Sequence, residues 1–166
     1  MKYHADTGKE LIATVKELKL AGLSIADIDT IGVASFAKIQ DKQREYRLAT
    51  DAPLDMKLSD GRILSAYTSS YEDVYCGFDF AINPKREDYE RDNDLDIAGS
   101  FSRCLNNKIV SFEVTEYGDK IDDGIKNIAS DSPKELVIIF EDGTRMSFCH
   151  SLYDEYMYVD LKLPEN

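Results

Sequence analysis

The chain repeats itself, and that constrains its fold more than any other feature of the sequence. Leu48-Ala-Thr-Asp-Ala-Pro53 returns as Ile128-Ala-Ser-Asp-Ser-Pro133, and Asp60-Gly61 returns as Asp142-Gly143. Counting on from those glycines, Ser65, Ser69 and Tyr71 meet Ser147, Ser151 and Tyr153 without a gap. The second copy has two more residues between Pro and Asp-Gly (Pro53 to Asp60 against Pro133 to Asp142). Two copies are too few for a solenoid, so each must bury its apolar face against something else in the chain.

Both copies read as antiparallel strands, because Asp-Gly between alternating apolar residues is a strong hairpin signal. Leu54, Met56 and Leu58 alternate with Asp55, Lys57 and Ser59, which predicts a strand with one face in water. Its counterpart, Leu136-Val-Ile-Ile-Phe140, is apolar throughout and is expected to be covered on both faces. After the turn, Leu64, Ala66 and Thr68 share one face, as do Met146, Phe148 and His150. The next strands carry Val74, Cys76, Phe78 and Phe80, and Met157, Val159, Leu161 and Leu163. Aligning these two needs one extra residue after Tyr153, which fits a β-bulge. Leading strands are expected at 31–39 and 109–117, followed by 44–50 and 125–130.

Ahead of the repeat, Thr7-Gly-Lys-Glu10 is a capping box, Leu11, Ile12, Val15 and Leu18 recur at helical spacing, and Gly22 suits a C-terminal stop. The fold class expected is α+β: an N-terminal helix plus two duplicated antiparallel β-meander units, packed as one domain or as two pseudo-symmetric subdomains. The corresponding segments are 1–29 (helical), 30–83 (first repeat), 84–100 (a charged linker, exposed and solvated) and 101–166 (second repeat).

Charge then narrows the partners. The net charge is −12, of which residues 84–166 (19 acids, 10 bases) carry −9 and residues 1–83 (13 acids, 10 bases) carry −3. Binding to nucleic acid or an anionic membrane needs clustered Lys and Arg, so both are disfavoured, whereas a basic partner would be steered in quickly at low salt. No apolar run is long enough to span a bilayer, and Met1 to Asp6 lacks a signal-peptide core, so a cytoplasmic location is expected. Cys76, Cys104 and Cys149 are too few and too far apart for a disulfide framework or a CxxC metal motif, and they read as reduced apolar groups.

Sequence motifs for chemistry are sparse. Cys149-His150 is the one Cys/His neighbour pair. On a strand the two side chains would point to opposite faces, and the repeat counterparts Tyr67 and Thr68 cannot serve as nucleophile and base. Adjacent carboxylates (Glu72-Asp73, Asp122-Asp123, Asp154-Glu155) are expected by chance in so acidic a chain. Asp92 to Asp96 alternates acids as a Ca²⁺ loop does, but Ile97 stands at the sixth position and Arg103 at the twelfth. No GxGxxG, Walker, HExxH or GxSxG motif is present. The reading is therefore non-enzymatic, with no catalytic residue, metal or cofactor assigned.

Tyrosine beside acid is the most pointed pattern. Tyr71, Glu72 and Asp73 close the first hairpin; Tyr153, Asp154, Glu155, Tyr156 and Tyr158 close the second. Tyr gives contact area with a polar handle, and carboxylates beside it would meet Lys and Arg of a partner.

The segment Leu136-Val-Ile-Ile-Phe-Glu-Asp-Gly-Thr-Arg-Met-Ser-Phe148, preceded by Lys108-Ile-Val-Ser-Phe-Glu-Val114, resembles small bacterial β-rich immunity proteins of toxin–immunity systems, mainly over the C-terminal half. That resemblance implies a cytoplasmic, non-enzymatic protein that binds and neutralises a basic toxin. Two other readings stand beside it: an acidic mimic of nucleic acid inhibiting a defence protein, and a small ligand-binding domain or enzyme using the cleft between the repeats.

Overall fold

A computed structural model of the chain describes residues 1–37, 44–71, 75–86, 90–152 and 155–164; for residues 44, 45, 69–71, 75 and 76 it describes the backbone alone. In chain order the elements are β1 (Lys2–Ala5), α1 (Gly8–Leu18), β2 (Ile25–Asp29), β3 (Ala34–Ala37), β4 (Arg44–Thr50), β5 (Leu54–Leu58), β6 (Ile63–Tyr71), β7 (Tyr75–Ile82) and α2 (Ile97–Ser100). A 3₁₀ turn at Ser102–Cys104 leads to β8 (Ile109–Glu116), β9 (Ile121–Asp122), β10 (Asn127–Ile128), β11 (Pro133–Phe140), β12 (Arg145–His150) and β13 (Met157–Lys162). Among the described residues these form a five-stranded sheet in the order β1-β7-β6-β5-β2, a six-stranded sheet in the order β3-β4-β13-β12-β11-β8, and the ribbon β9-β10. Every strand pair is antiparallel, so the architecture is mainly antiparallel β with few helices.

The Asp-Gly turns act alike in both sheets. Leu58 N–H donates to the Arg62 carbonyl at 2.8 Å, and Phe140 N–H to that of Thr144 at 2.9 Å. Gly61 and Gly143 sit at φ +91° and +87°. Asp60 accepts from Arg62 N–H, and Asp142 from Thr144 N–H, through one side-chain oxygen each. These are three-residue hairpin loops with glycine in the left-handed position. Replacing either glycine with alanine is expected to cost about 1 kcal/mol from backbone conformation alone. Gly143→Ala should cost more, since its Cβ would meet Pro164 Cβ at 3.3 Å while nothing lies within 4 Å at Gly61. Urea unfolding of the two variants checks that order.

The two sheets share a strand order, β7-β6-β5-β2 against β13-β12-β11-β8. The parallel extends past the strands: Ser59 N–H donates to Ser24 O, and Glu141 N–H to Lys108 O, each at 2.8 Å, while Ser24 and Lys108 bridge each other. The strand that takes the place of β8 in this order is therefore β2 at Ile25–Asp29, and not the expected 31–39. Within that stretch only β3 is a described strand, and with β4 it crosses to the other sheet, where β4 pairs with β13. The physical reason is burial. Leu48 and Thr50 are fully covered there, and Thr50 Oγ1 lies 3.0 Å from Thr30 Oγ1.

The helix is capped as its sequence predicts: Thr7 Oγ1 accepts from Glu10 N–H, and Glu10 Oε2 from Asp6 N–H. It ends earlier than Gly22 would allow, with Lys19 in the left-handed conformation at φ 52°. Leu11, Val15 and Leu18 turn inward into one apolar core shared by both sheets, with Leu54, Met56, Leu64, Phe78 and Phe80 from one and Leu136, Ile138, Met146, Phe148 and Val159 from the other. Among the described residues no helix is long and apolar enough to cross a membrane.

Candidate functional site

The end of β12 and the approach to β13 lie against β6 and β7. His150, buried on the inner face of β12, lies with Nε2 2.9 Å from the Gly77 carbonyl of β7 and with its ring edge-on to Phe78 at 5.2 Å. Tyr67 of β6 donates its hydroxyl to the Glu155 carbonyl at 2.8 Å. The segment after β12 closes on itself, Ser151 N–H donating to the Tyr156 carbonyl at 3.2 Å. The two sheets thus meet where β12 ends and the chain approaches β13.

The residues singled out by the sequence divide. Glu155 is exposed and Tyr156 half-buried at this junction, and Tyr71 pairs through its backbone with Tyr75 at the end of β6. Tyr158 lies apart, on the outer face of the six-stranded sheet, where the Arg47 guanidinium carbon stands 4.7 Å from its ring centre. Glu72, Asp73, Tyr153 and Asp154 fall outside the described residues.

The Cys149-His150 pair is split as strand geometry demands: His150 faces the core and half-buried Cys149 faces outward. Burial lowers the His150 pKa to about 4, against the opposing bond to Gly77, so the imidazole is neutral at pH 7. Cys104 is fully buried; burial, with the Asp142 charge adding, pushes its thiol up to about 12, far from a reactive thiolate.

Around Tyr158 the outer face is polar yet tightly covered. Asp160, fully buried, accepts from Arg47 Nε at 2.8 Å and Nη2 at 3.1 Å. Ser147 Oγ donates to Glu135 at 2.6 Å, and Lys162 Nζ reaches the same oxygen at 3.2 Å. Side chains this committed act as a fixed scaffold.

The charged stretch between the repeats is pinned in its described parts. Arg86 bonds Asp55 and, at 2.9 Å, Ser65; Arg91 meets Asp29 at 3.0 Å. Asn93 donates from Nδ2 to the Thr30 and Gly32 carbonyls. With Asn93 so engaged and Asp96 capping α2 through Gly99 N–H, the Asp92 to Asp96 run serves the backbone.

Between the facing sheets the described side chains fill one core, and a groove lies on the outer face of the five-stranded sheet. It measures about 840 Å³, with Met1, Pro53, Ala81 and Pro84 among its apolar lining residues. Lys2, His4, Asp79, Lys85 and Arg86 are among its other lining residues, and Tyr67 joins it to the hairpin ends. His4 is held between two carboxylates, Nδ1 to Asp79 and Nε2 to Asp6 at 2.5 Å. The Asp79 bond is the largest influence and raises the His4 pKa against the cost of burial, with Asp6 adding to it. Nothing in the sequence pattern points to this groove: β1 is four residues long, and His4 meets Asp79 only through the β1–β7 register. A search of protein-family models, curated proteins and solved structures found none that matches the chain.

Proposed function

We propose that the chain is a non-enzymatic binding protein for a basic protein partner, acting as immunity proteins do when they neutralise a toxin. The observation that carries this reading is the contact between the two sheets through Tyr67 on Glu155 and His150 on Gly77, which sets exposed Glu155 and half-buried Tyr156 beside the five-stranded sheet. A net charge of −12 would steer a cationic partner toward it. The shared strand order and the matched Asp-Gly turns support a duplicated unit as the scaffold. Duplication would account for two similar binding ends in one chain.

The nucleic-acid-mimic reading asks for a regular row of uncommitted carboxylates. Here Asp29, Asp55, Asp60, Asp79 and Asp160 are each paired with a cationic or imidazole side chain.

Capture from cell extract with the tagged chain, followed by salt elution, is the test. A basic protein should be retained at low salt and released as salt rises, and a chain carrying Glu155→Lys with Tyr156→Ala should retain at least tenfold less. Retention of no basic protein, or retention indifferent to salt and to these substitutions, overturns the reading.

A further inference from the structure

We propose that the groove on the outer face of the five-stranded sheet is a second binding site, one that takes a small organic anion with an apolar body. The inference goes beyond partner binding at the hairpin ends and does not depend on it.

The case starts from charge. The chain carries 32 acids against 20 bases, yet among the described residues the charged side chains lining this groove are Lys2, Lys85, Arg86 and His4, with Asp79 the one acid. Lys2 and Lys85 form no ion pair with any described residue, so their ammonium groups are available at the rim. Arg86 is partly neutralised by Asp55, and Asp79 is matched by His4, which its two carboxylate neighbours keep in the protonated form to higher pH than usual. Two exposed ammonium groups at one rim concentrate positive charge locally in a strongly acidic protein, and at short range they would draw anions.

The floor sets the rest of the ligand. Pro53, Ala81 and Pro84 offer hydrocarbon, and the Tyr67 ring is fixed as a wall because its hydroxyl is tied to the Glu155 carbonyl. A volume of about 840 Å³ lies within the range of small-molecule sites, which are mostly apolar with a few placed polar groups. Inorganic phosphate would use the rim and leave the floor wet; a neutral hydrocarbon would use the floor and leave the ammonium groups unmatched. An alkyl or aryl carboxylate uses both.

Titration of the ¹⁵N-labelled full chain with sodium decanoate, below its micelle concentration, is the experiment. Amide shifts should concentrate at residues 2–4, 65–67 and 81–86 and saturate. Sodium acetate and decyltrimethylammonium should each bind at least tenfold more weakly. The doubly substituted chain Lys2→Glu with Lys85→Glu should lose roughly tenfold or more in affinity, since each change reverses a charge at the rim. Lys108→Glu, exposed beside the other sheet, should leave affinity unchanged. Both lysines are exposed, so an unchanged unfolding midpoint would verify that the variant folds. Shifts spread over the whole surface, equal binding of the cationic analogue, or undiminished binding by the double variant would each overturn the proposal.

Discussion

Replacing Arg47 with methionine is expected to lower the unfolding free energy by about 3 kcal/mol or more. Asp160 is fully buried on β13, and its carboxylate receives both arms of the Arg47 guanidinium from β4. Removing the guanidinium leaves a carboxylate in a site with little water, and desolvation then weighs against the folded state. Donating its hydrogen bonds to Asp160 also raises the Arg47 pKa, despite the cost of burying the guanidinium. Replacing both residues with apolar ones of similar volume should restore most of the loss, because no charge is then left buried. Urea unfolding of the single and double variants measures this. A cost under about 1 kcal/mol for Arg47→Met, typical of an exposed ion pair, would mean that Asp160 does not depend on Arg47.

Acid should weaken the fold through His150 well before the carboxylates titrate. Its folded pKa of about 4 lies below the ordinary 6.5, because burial disfavours the charged ring. The unfolded chain therefore binds a proton that the folded chain refuses. The stability linked to His150 is complete above pH 6.5 and is lost as pH falls from there toward 4, by up to about 3 kcal/mol. His4 runs the other way. Its pKa is raised, so the contribution of its bonds to Asp79 and Asp6 is present below pH 6.5 and is lost as pH rises through the folded value. Stability measured by urea unfolding from pH 4 to 8 should rise steeply at first, and His150→Asn should flatten that rise. An unchanged slope in the variant would assign the acid sensitivity to other groups.

What could be read from the sequence was local. Thr7 and Glu10 announce the helix start because a capping box is satisfied within four residues. Asp60-Gly61 and Asp142-Gly143 announce hairpins because the turn needs a residue at positive φ. The alternation in Leu54 to Leu58 names its inner face correctly, and Leu136 to Phe140 is buried apart from a half-exposed Ile139. What escaped was nonlocal. The sequence of β4 looks the same whether it stays with its own copy or crosses to β13, since alternation tells which face is buried and not which neighbour is paired. The His4–Asp79 pairing spans 75 positions and leaves no periodic trace. At the expected hairpin ends Tyr and acid could be seen to recur, but the contacts of Tyr67 with Glu155 and of His150 with Gly77 depend on how two sheets stack.

The crossing of β4 also bears on the order in which the chain can become a protein. A ribosome delivers residues from the N-terminus, and β4 must wait for a partner strand that lies 113 positions later, the separation of Arg47 from Asp160. Until β13 emerges, β4 has one unsatisfied edge and Leu48 has no finished core to enter. The first half is thus committed to the second before either is complete. Emerging chains should stay protease-sensitive until β13 clears the exit tunnel, and then close together in one late step.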